Sequence, residues 1–413
     1  MPHYAVLGAG ITGVTTAYSL LKRGHDVTIY DRQRYAAMET SFANGGQLSA
    51  SNAEVWNRWA TVLKGTKWLL KPDAPLSVNP KPSWHKMSWM AEFLWNIRNY
   101  EANTVETTRL AITAREGLRE MAATAGVDFD FSSASIVHFY QTQKDLADGR
   151  RVNRLLAQGG LHREELSPEE VRARVPQLHG PLTGGFVTSC DSTGDIHKFT
   201  TGLADWLLGQ GVRFRMGTEI TDVAADDDGV RVTAGDTERF DGVVVCAGVG
   251  SRGIAAKLGD RVNVYPVKGY SITVMLRDAA SQEAAPQVSL LDDKAKIVTS
   301  RLGVDRFRVA GTAEFNGFNR DIRADRVRPL VDWVARLFPG VSTEHCVPWA
   351  GLRPMMPNMM PKVGAGRHPR VFYNTGHGHL GWTLSGATAE MLGEAVGEGP
   401  ARRLWSAELP KAA

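Results

Sequence analysis

The stretch His3–Arg32, HYAVLGAGITGVTTAYSLLKRGHDVTIYDR, decides the fold. It reads as strand, glycine turn, helix, strand: a short apolar run, a break, apolar residues at helical spacing, then a second strand pattern. Gly8, Gly10 and Gly13 supply G-x-G-x-x-G. The first glycine permits the tight turn, the second lets a pyrophosphate approach the backbone, and the third lets the helix pack on the strand. The helix N-terminus then faces the phosphates. Asp31 ends the second strand eighteen residues after Gly13, with Arg32 beside it; a carboxylate there accepts hydrogen bonds from a ribose. In this context the pattern predicts a dinucleotide site rather than an ordinary glycine turn.

Two further segments bear on which dinucleotide it is. ETSFANGGQLSAS, Glu39–Ser51, follows the second strand and is rich in small and hydroxyl residues. A loop of this make-up suits close backbone approach to a pyrophosphate and a flavin ring, the alternative being a solvated surface loop. Near the other end, RVFYNTGHGHLGWTLSGATAEMLGEAVGEG reads as a strand over Val371–Tyr373, a turn holding Gly376, Gly378 and Gly381, and a helix from about Thr383. The glycines let backbone lie against a flat ring. The helix N-terminus, worth about 0.3–1 kcal/mol to a nearby anion, favours the negative charge of a reduced flavin.

The chain of 413 residues is 43% hydrophobic and 22% charged, an ordinary globular make-up too long for one domain. We expect an α/β protein in which a Rossmann-type dinucleotide-binding domain (1–52, 180–255 and 362–400) is interleaved with an antiparallel-sheet substrate domain (53–179 and 256–361). The net charge of +4 gathers into no block, which argues against nucleic acid. Cys190, Cys246 and Cys346 form no CxxC pair, so they suit a reducing cytoplasm and speak against a metal site. The N-terminus enters a strand pattern at once, without the features of a secretory signal, and no apolar run reaches about 18 residues.

Between the two ends the pattern changes several times. From about Ala53 to Tyr100 lie Trp56, Trp59, Trp68, Trp84, Trp89 and Trp95, interleaved with Lys64, Lys67, Lys71, Lys81 and Lys86. Such a mixture either dips into a membrane interface or packs between helices and loops. A long helical pattern then ends near Gly126. FSSASIVHFYQT reads as a strand, KDLADGRRVNRLLAQGG as a helix, and LSPEEVRARVPQL as a helix with Ser167 as N-cap, Pro168 first and Glu170 closing a capping box. From Gly184 the α/β pattern returns, with a helix over about Ile196–Gln210, one strand over VRFRMGTEITDV, and FDGVVVCAGVGS as a buried parallel strand. VYPVKGYSITVML, KIVTSRL and RFRVAGTAEF alternate like strands of an antiparallel wall over the cofactor.

With these pieces assembled, the chain resembles the D-amino-acid oxidase and glycine oxidase superfamily of flavoproteins, and within it the D-amino-acid dehydrogenase small-subunit family. The resemblance rests on GAGITG, ETSFANGGQLS, KWLLKPDAPL, DSTGD, YPVKGYS, TAEFNGFN, GLRP and NTGHGHLGW, in family order from Gly8 to Trp382. It implies FAD, held by Gly8, Gly10, Gly13, Asp31, Thr40, Ser41, Asn44, Gly45, Gly46, Gln47, Leu48, the backbone of Ile220 near the adenine, and Gly376, His377, Gly378, Leu380, Gly381, Trp382 and Thr383. It implies that Arg353 of GLRP grips the substrate carboxylate, as a planar fork of donors does. Tyr270 is expected to give that carboxylate a second hydrogen bond or to shield the ring. His377 and His379 either assist deprotonation of the amine or are packed and backbone-bonded. The implied reaction is oxidative deamination of a D-amino acid to a 2-oxo acid and ammonia by hydride transfer from Cα to flavin N5, with electrons passed to a membrane quinone or carrier. Two alternatives are an oxygen-using oxidase of glycine, sarcosine or a cyclic amine, and a non-catalytic flavin-binding subunit. The cysteines suit a cytoplasmic location, and the tryptophan-rich region offers peripheral contact with the inner face of the cell membrane as one reading of it. After GLRP the family's T-P-D-G-x-P gives way to Met355, Met356, Pro357, Asn358, Met359, Met360 and Pro361, and His379 stands where threonine is common. These methionines are expected to form one side of the substrate pocket or its immediate support.

Overall fold

A computed structural model describes residues 1–68 and 75–397. The stretch 69–74, with Lys71 and most of KWLLKPDAPL, and residues 398–400 of the expected FAD-binding domain lie outside the described residues.

The apolar runs at the N-terminus build the centre of a six-stranded sheet. Its order is Lys362–Ala365, Val371–Thr375, Gly242–Val245, His3–Leu7, Asp26–Tyr30 and Arg213–Arg215, with every pairing parallel except the first. The central strands are covered on both faces, which is why GVVV carries no polar residue. Helices Ile11–Lys22 and Gly381–Gly397 pack together on one face. The long helix Tyr100–Ala125 packs across Gly381–Gly397, where Gly386 brings the backbones together: a Cβ there would stand 2.6 Å from the Ala114 carbonyl oxygen.

The second sheet has nine strands. Cys346–Met355, Tyr265–Met275, Arg306–Phe315, Ile297–Leu302 and Ser289–Asp292 run antiparallel in that order, and Ile136–Tyr140, Gly184–Thr188 and Glu164–Leu166 extend it. The sheet is mixed rather than purely antiparallel, because Ser289–Asp292 pairs parallel with Ile136–Tyr140 and Leu76–Val78 pairs parallel with Arg306–Phe315. Helix Ala324–Leu337 covers one face through Leu330, Trp333, Val334 and Leu337. The other face looks toward the six-stranded sheet across a cavity.

Two expectations need correction. Gly184–Thr188, placed with the FAD-binding segment from 180, hydrogen-bonds into the nine-stranded sheet. Its five buried residues carry the same continuous burial as a central Rossmann strand, so sequence pattern does not separate the two. The chain returns to the first sheet's layer only with helix Ile196–Gly209. VRFRMGTEITDV is two strands, not one: Arg213–Arg215 ends the six-stranded sheet and Asp222–Asp226 begins a separate three-stranded one. Gly217, at φ +65°, turns the chain between them. The capping box at Ser167 and Glu170 is present, with Pro168 at the first helical position.

The tryptophan-rich region divides. Trp89 is buried and donates to the Met355 carbonyl at 2.8 Å, and Trp56 stacks on His379. Trp59, Trp84 and Trp95 are 61%, 83% and 64% exposed, so the packed reading holds for Trp56 and Trp89 and not for these three. Among the described residues no helix is long and apolar enough to cross a membrane.

Candidate active site

A cavity of about 1260 Å³ runs between the two sheets, from the glycine turn after His3–Leu7 to the face of the nine-stranded sheet. At its first end Gly8 has φ +117°, and a Cβ there would lie 2.6 Å from the Cys246 carbonyl oxygen. Gly13 faces away from the cavity, where a Cβ would lie 1.8 Å from the Gly8 carbonyl oxygen. It is therefore the helix-packing glycine of the fingerprint. Asp31 accepts from the backbone N–H of Ala9 at 2.7 Å and of Gln33 at 2.8 Å. Each oxygen keeps a lone pair for a ligand. Arg32 is exposed and paired with Glu39 at 2.9 Å. The Thr218 N–H donates to the Asp31 carbonyl at 2.9 Å, which brings the turn holding Ile220 against the same end of the cavity.

The loop after the second strand lies flush along the cavity. Ser41 Oγ accepts from the Ile11 N–H at 3.0 Å and Thr40 donates to the Leu352 carbonyl at 2.8 Å. Asn44 Oδ1 accepts from the Gly46 N–H at 2.9 Å, a turn that Gly46 enters at φ +72°. A Cβ at Gly45 would meet Val298 at 2.6 Å, so only glycine lets this backbone pass so close to the larger sheet. Gln47 is fixed through its Nε2 to Ser289 at 2.8 Å, while its Oε1 is buried without a partner. Leu48 is a correction: it does not reach the cavity but belongs to the core of the first domain.

At the second glycine turn Gly376 and Gly378 have φ +79° and +61°. Cβ atoms there would lie 2.4 Å from Met356 Cγ and 2.9 Å from Met355 Sδ. Met355, Met359 and Met360 are buried in a cluster with Trp89, Tyr265 and Phe315 and do not line the cavity. Of the two roles expected for the methionines, support is the one the structure assigns. They brace the turn from behind. Gly381 opens the helix, with Leu380 and Trp382 packed in core and Thr383 Oγ1 accepting from the Ser49 N–H at 3.2 Å.

The residues present fit FAD. The glycine cradle, Asp31 beside it, and buried polar atoms without partners on cavity-lining residues (Gln47 Oε1, Thr312 Oγ1, His377 Nδ1 and His379 Nδ1) are what a bound dinucleotide and its substrate would satisfy. Cys246, which pattern did not mark as a site residue, also lines this cavity. Burial pushes its thiol up to about 12, so it is not a nucleophile there.

The groups expected to act on substrate do not all converge. Arg353 faces the cavity from strand Cys346–Met355 and donates to the Thr312 carbonyl at 2.8 Å. Among the described residues no carboxylate pairs with it, and burial lowers its pKa to about 10. A Cβ on Gly269 would lie 2.2 Å from its Nη1, so Gly269 of VKGYS makes the space for the guanidinium. Tyr270 is a correction. Alternation along Tyr265–Met275 turns its ring to the opposite face, into the cluster with Ile272, Val274 and Leu330, and its hydroxyl donates to Glu314 at 2.8 Å. Lys268 meets the same Glu314 at 3.3 Å. Tyr270 thus supports the strand from behind and does not reach a carboxylate beside Arg353.

His377 is buried, bonded through Nε2 to Thr388 Oγ1 at 3.0 Å, and burial lowers its pKa to about 3. It is a packed histidine. His379 lines the cavity beside Arg353, stacked on Trp56 at 4.9 Å between ring centroids. Its Nε2 sits 3.2 Å from the Asn52 carbonyl, which can only accept. The neutral tautomer therefore carries its proton on Nε2 and presents a lone pair at Nδ1. Burial first, then the charges of Arg353 and Lys296, lower its pKa to about 4. Sequence reasoning passed over Asn52, Trp349, Asp293 and Lys296, all of which line the cavity. The last two lie in DDKAK, which reads as an ordinary charged hairpin tip.

Comparison with known proteins agrees with this geometry. The model of the DAO family, FAD dependent oxidoreductase, matches residues 3–395. A D-amino acid dehydrogenase 3 of Mesorhizobium japonicum is 60% identical over 400 residues, covering 96% of this chain and 97% of its own. A D-amino acid dehydrogenase of Rhizobium johnstonii is 39% identical over 401 residues, covering 95% of each chain. Among solved structures, glycine oxidase from Geobacillus kaustophilus superposes with a TM-score of 0.75 at 20% identity over 98% of both chains, a likeness of fold. On this match across nearly its whole length, the chain belongs to the DAO family of FAD-dependent oxidoreductases, with FAD as its cofactor.

Proposed function

We propose that the protein is a D-amino-acid dehydrogenase that converts D-amino acids to 2-oxo acids and ammonia. The observation that carries this reading is Arg353, a guanidinium aimed into the cavity with only backbone carbonyls as partners. A half-buried cation without a counter-ion is costly, and a substrate carboxylate held in two parallel bonds removes that cost. Holding the carboxylate fixes Cα, which makes the transfer effectively unimolecular. FAD, when bound, supplies the acceptor for the Cα hydride. His379 stays neutral at physiological pH, so its Nδ1 lone pair orients the amine by accepting one of its hydrogen bonds, and the ammonium proton leaves to solvent. The positive charge of Arg353 beside it disfavours a protonated amine, which is the form unable to release hydride. Water then hydrolyses the imine.

The electrons pass, on this reading, to a membrane quinone or carrier, with the protein peripheral on the inner face of the cell membrane. Support comes from the exposed Trp59, Leu63, Trp84, Met87, Leu94 and Trp95 on helices Trp59–Trp68 and Trp84–Trp95. The cavity wall runs out to Leu94 and Lys64 on the same helices.

An anaerobic spectrum of the holoprotein with a panel of D-amino acids, glycine, sarcosine and cyclic amines tests the activity. Bleaching of the flavin by D-amino acids is the expected result, and no bleaching by any of them sinks the reading. In air, peroxide formed as fast as the flavin is reduced would make the enzyme an oxidase; slow peroxide and fast reduction of a soluble quinone analogue would make it a dehydrogenase.

A further inference from the structure

Among the charged groups on the substrate end of the cavity, most are already satisfied by one another. Glu54 accepts from Tyr100 at 2.6 Å and pairs with Arg58 at 3.4 Å, and Arg58 grips Asp148 with two bonds at 3.0 and 2.7 Å. Lys296 differs. Among the described residues its Nζ has one partner, Asp293 at 3.1 Å, and its side chain is 46% exposed, on a residue that lines the cavity. An ammonium has three donors, so two remain for a ligand.

The hairpin that carries Lys296 is built to hold it there. Asp292, buried, accepts from the N–H groups of Lys294 and Ala295 at 3.0 Å and from Trp333 at 2.9 Å. Asp293 is backed by His138 at 3.6 Å, which is itself bonded to Ser51 at 2.9 Å. Lys296 has φ +56° and Thr312, on the neighbouring strand, φ +57°. Left-handed backbone at two non-glycine residues is strained and is kept where the surroundings impose it.

The Arg353 guanidinium and the backbone of Lys296 both meet Gly311. The Arg353 Nη2 lies 3.5 Å from the Gly311 carbonyl, and the Lys296 carbonyl lies 2.9 Å from where a Gly311 Cβ would be. The charges of both bear on the same His379 ring. Tyr270, the other candidate for a second donor, is spent on Glu314 across the sheet.

We propose that Lys296 is a substrate-binding residue that completes the carboxylate clamp with Arg353, a proposal that rests on the D-amino-acid reading of the site. Asp293 and His138 act through it as positioning residues. Burial opposes its charge, but Asp293 and Glu54 outweigh burial and keep the ammonium protonated, as the clamp requires.

The test uses Lys296→Met and Lys296→Arg holoenzymes with two probes, D-alanine and propionate, which is D-alanine without its amine and cannot be oxidised. Binding is read from perturbation of the flavin spectrum and turnover from anaerobic flavin reduction. The expected result for Lys296→Met is a Kd at least tenfold higher for both probes, with FAD content and Tm unchanged; Lys296→Arg recovers most of the affinity. An unchanged Kd for propionate overturns the proposal. So does a loss confined to substrates with polar side chains such as D-asparagine, which would make Lys296 a side-chain contact. The underlying reading fails separately, if D-alanine does not reduce the wild-type flavin.

Discussion

Arg353 and Lys differ in one property that the site uses: the guanidinium is a fixed fork, the ammonium a point donor. Arg353→Lys keeps the charge and loses one of two parallel bonds to a carboxylate, each worth about 1.5–3 kcal/mol when charge-assisted. We predict a ten- to hundredfold fall in kcat/KM for D-amino acids, carried mainly by KM, with flavin absorbance retained. Loss of FAD from the variant would instead make Arg353 structural. At this scale the sequence was informative where a residue's chemistry is rare in its setting, as for an arginine in an apolar stretch. It was silent on direction. Tyr270 and Arg353 both lie on motif segments, yet the two-residue period of a strand sends Tyr270 to Glu314 on the opposite face. Lys296 gave no signal because its φ of +56° and its place on the cavity wall exist only in three dimensions.

Glycine turns, strands and helices were read more completely than individual roles. The segment from His3 to Arg32 fixes strand, turn, helix and strand because three glycines there serve three separate steric needs. Partners distant in sequence were not legible: nothing in GGFVT indicates that it pairs with Ile136–Tyr140 instead of a Rossmann neighbour. Nor does the run of methionines announce that it backs a turn. That brace supplies a prediction. Gly376→Ala meets two obstacles, a φ of +79° and a Cβ 2.4 Å from Met356 Cγ. The first costs about 1–2 kcal/mol and overpacking about 1–3 more. We expect a lower Tm and weakened FAD retention, read by the flavin released on gel filtration; a variant with wild-type Tm and flavin content would show that the methionines yield freely.

The molecule as a whole buries neutral histidines between its two sheets, and this sets how it responds to acid. His377 and His379 have folded-state pKa values of about 3 and about 4, against about 6.5 when unfolded. Depressed values mean that the unfolded chain binds the extra protons, so this contribution to stability is complete above about 6.5 and is lost as pH falls toward 4. Tm should therefore hold between pH 8 and 6.5, by the same linkage, and decline below, and His377→Gln should flatten the decline. An equal decline in the variant would assign it to other groups. The outer surface carries the remaining prediction. Trp59, Trp84 and Trp95 stand exposed with Leu63, Met87 and Leu94 on two helices that also wall the cavity. Indole rings favour the headgroup region of a bilayer, and Lys64 and Lys81 on the same segment add attraction to anionic lipid, about 1 kcal/mol for each charge near the surface. Vesicles of mixed neutral and anionic phospholipid should sediment the holoprotein at low salt and blue-shift its tryptophan emission. A triple substitution of Trp59, Trp84 and Trp95 by Gln should abolish the sedimentation while leaving reduction of the flavin by D-alanine intact, since none of the three lines the cavity. Sedimentation of wild type and variant to the same extent would mean that these side chains do not meet lipid, and the route for electrons would have to leave the cavity elsewhere.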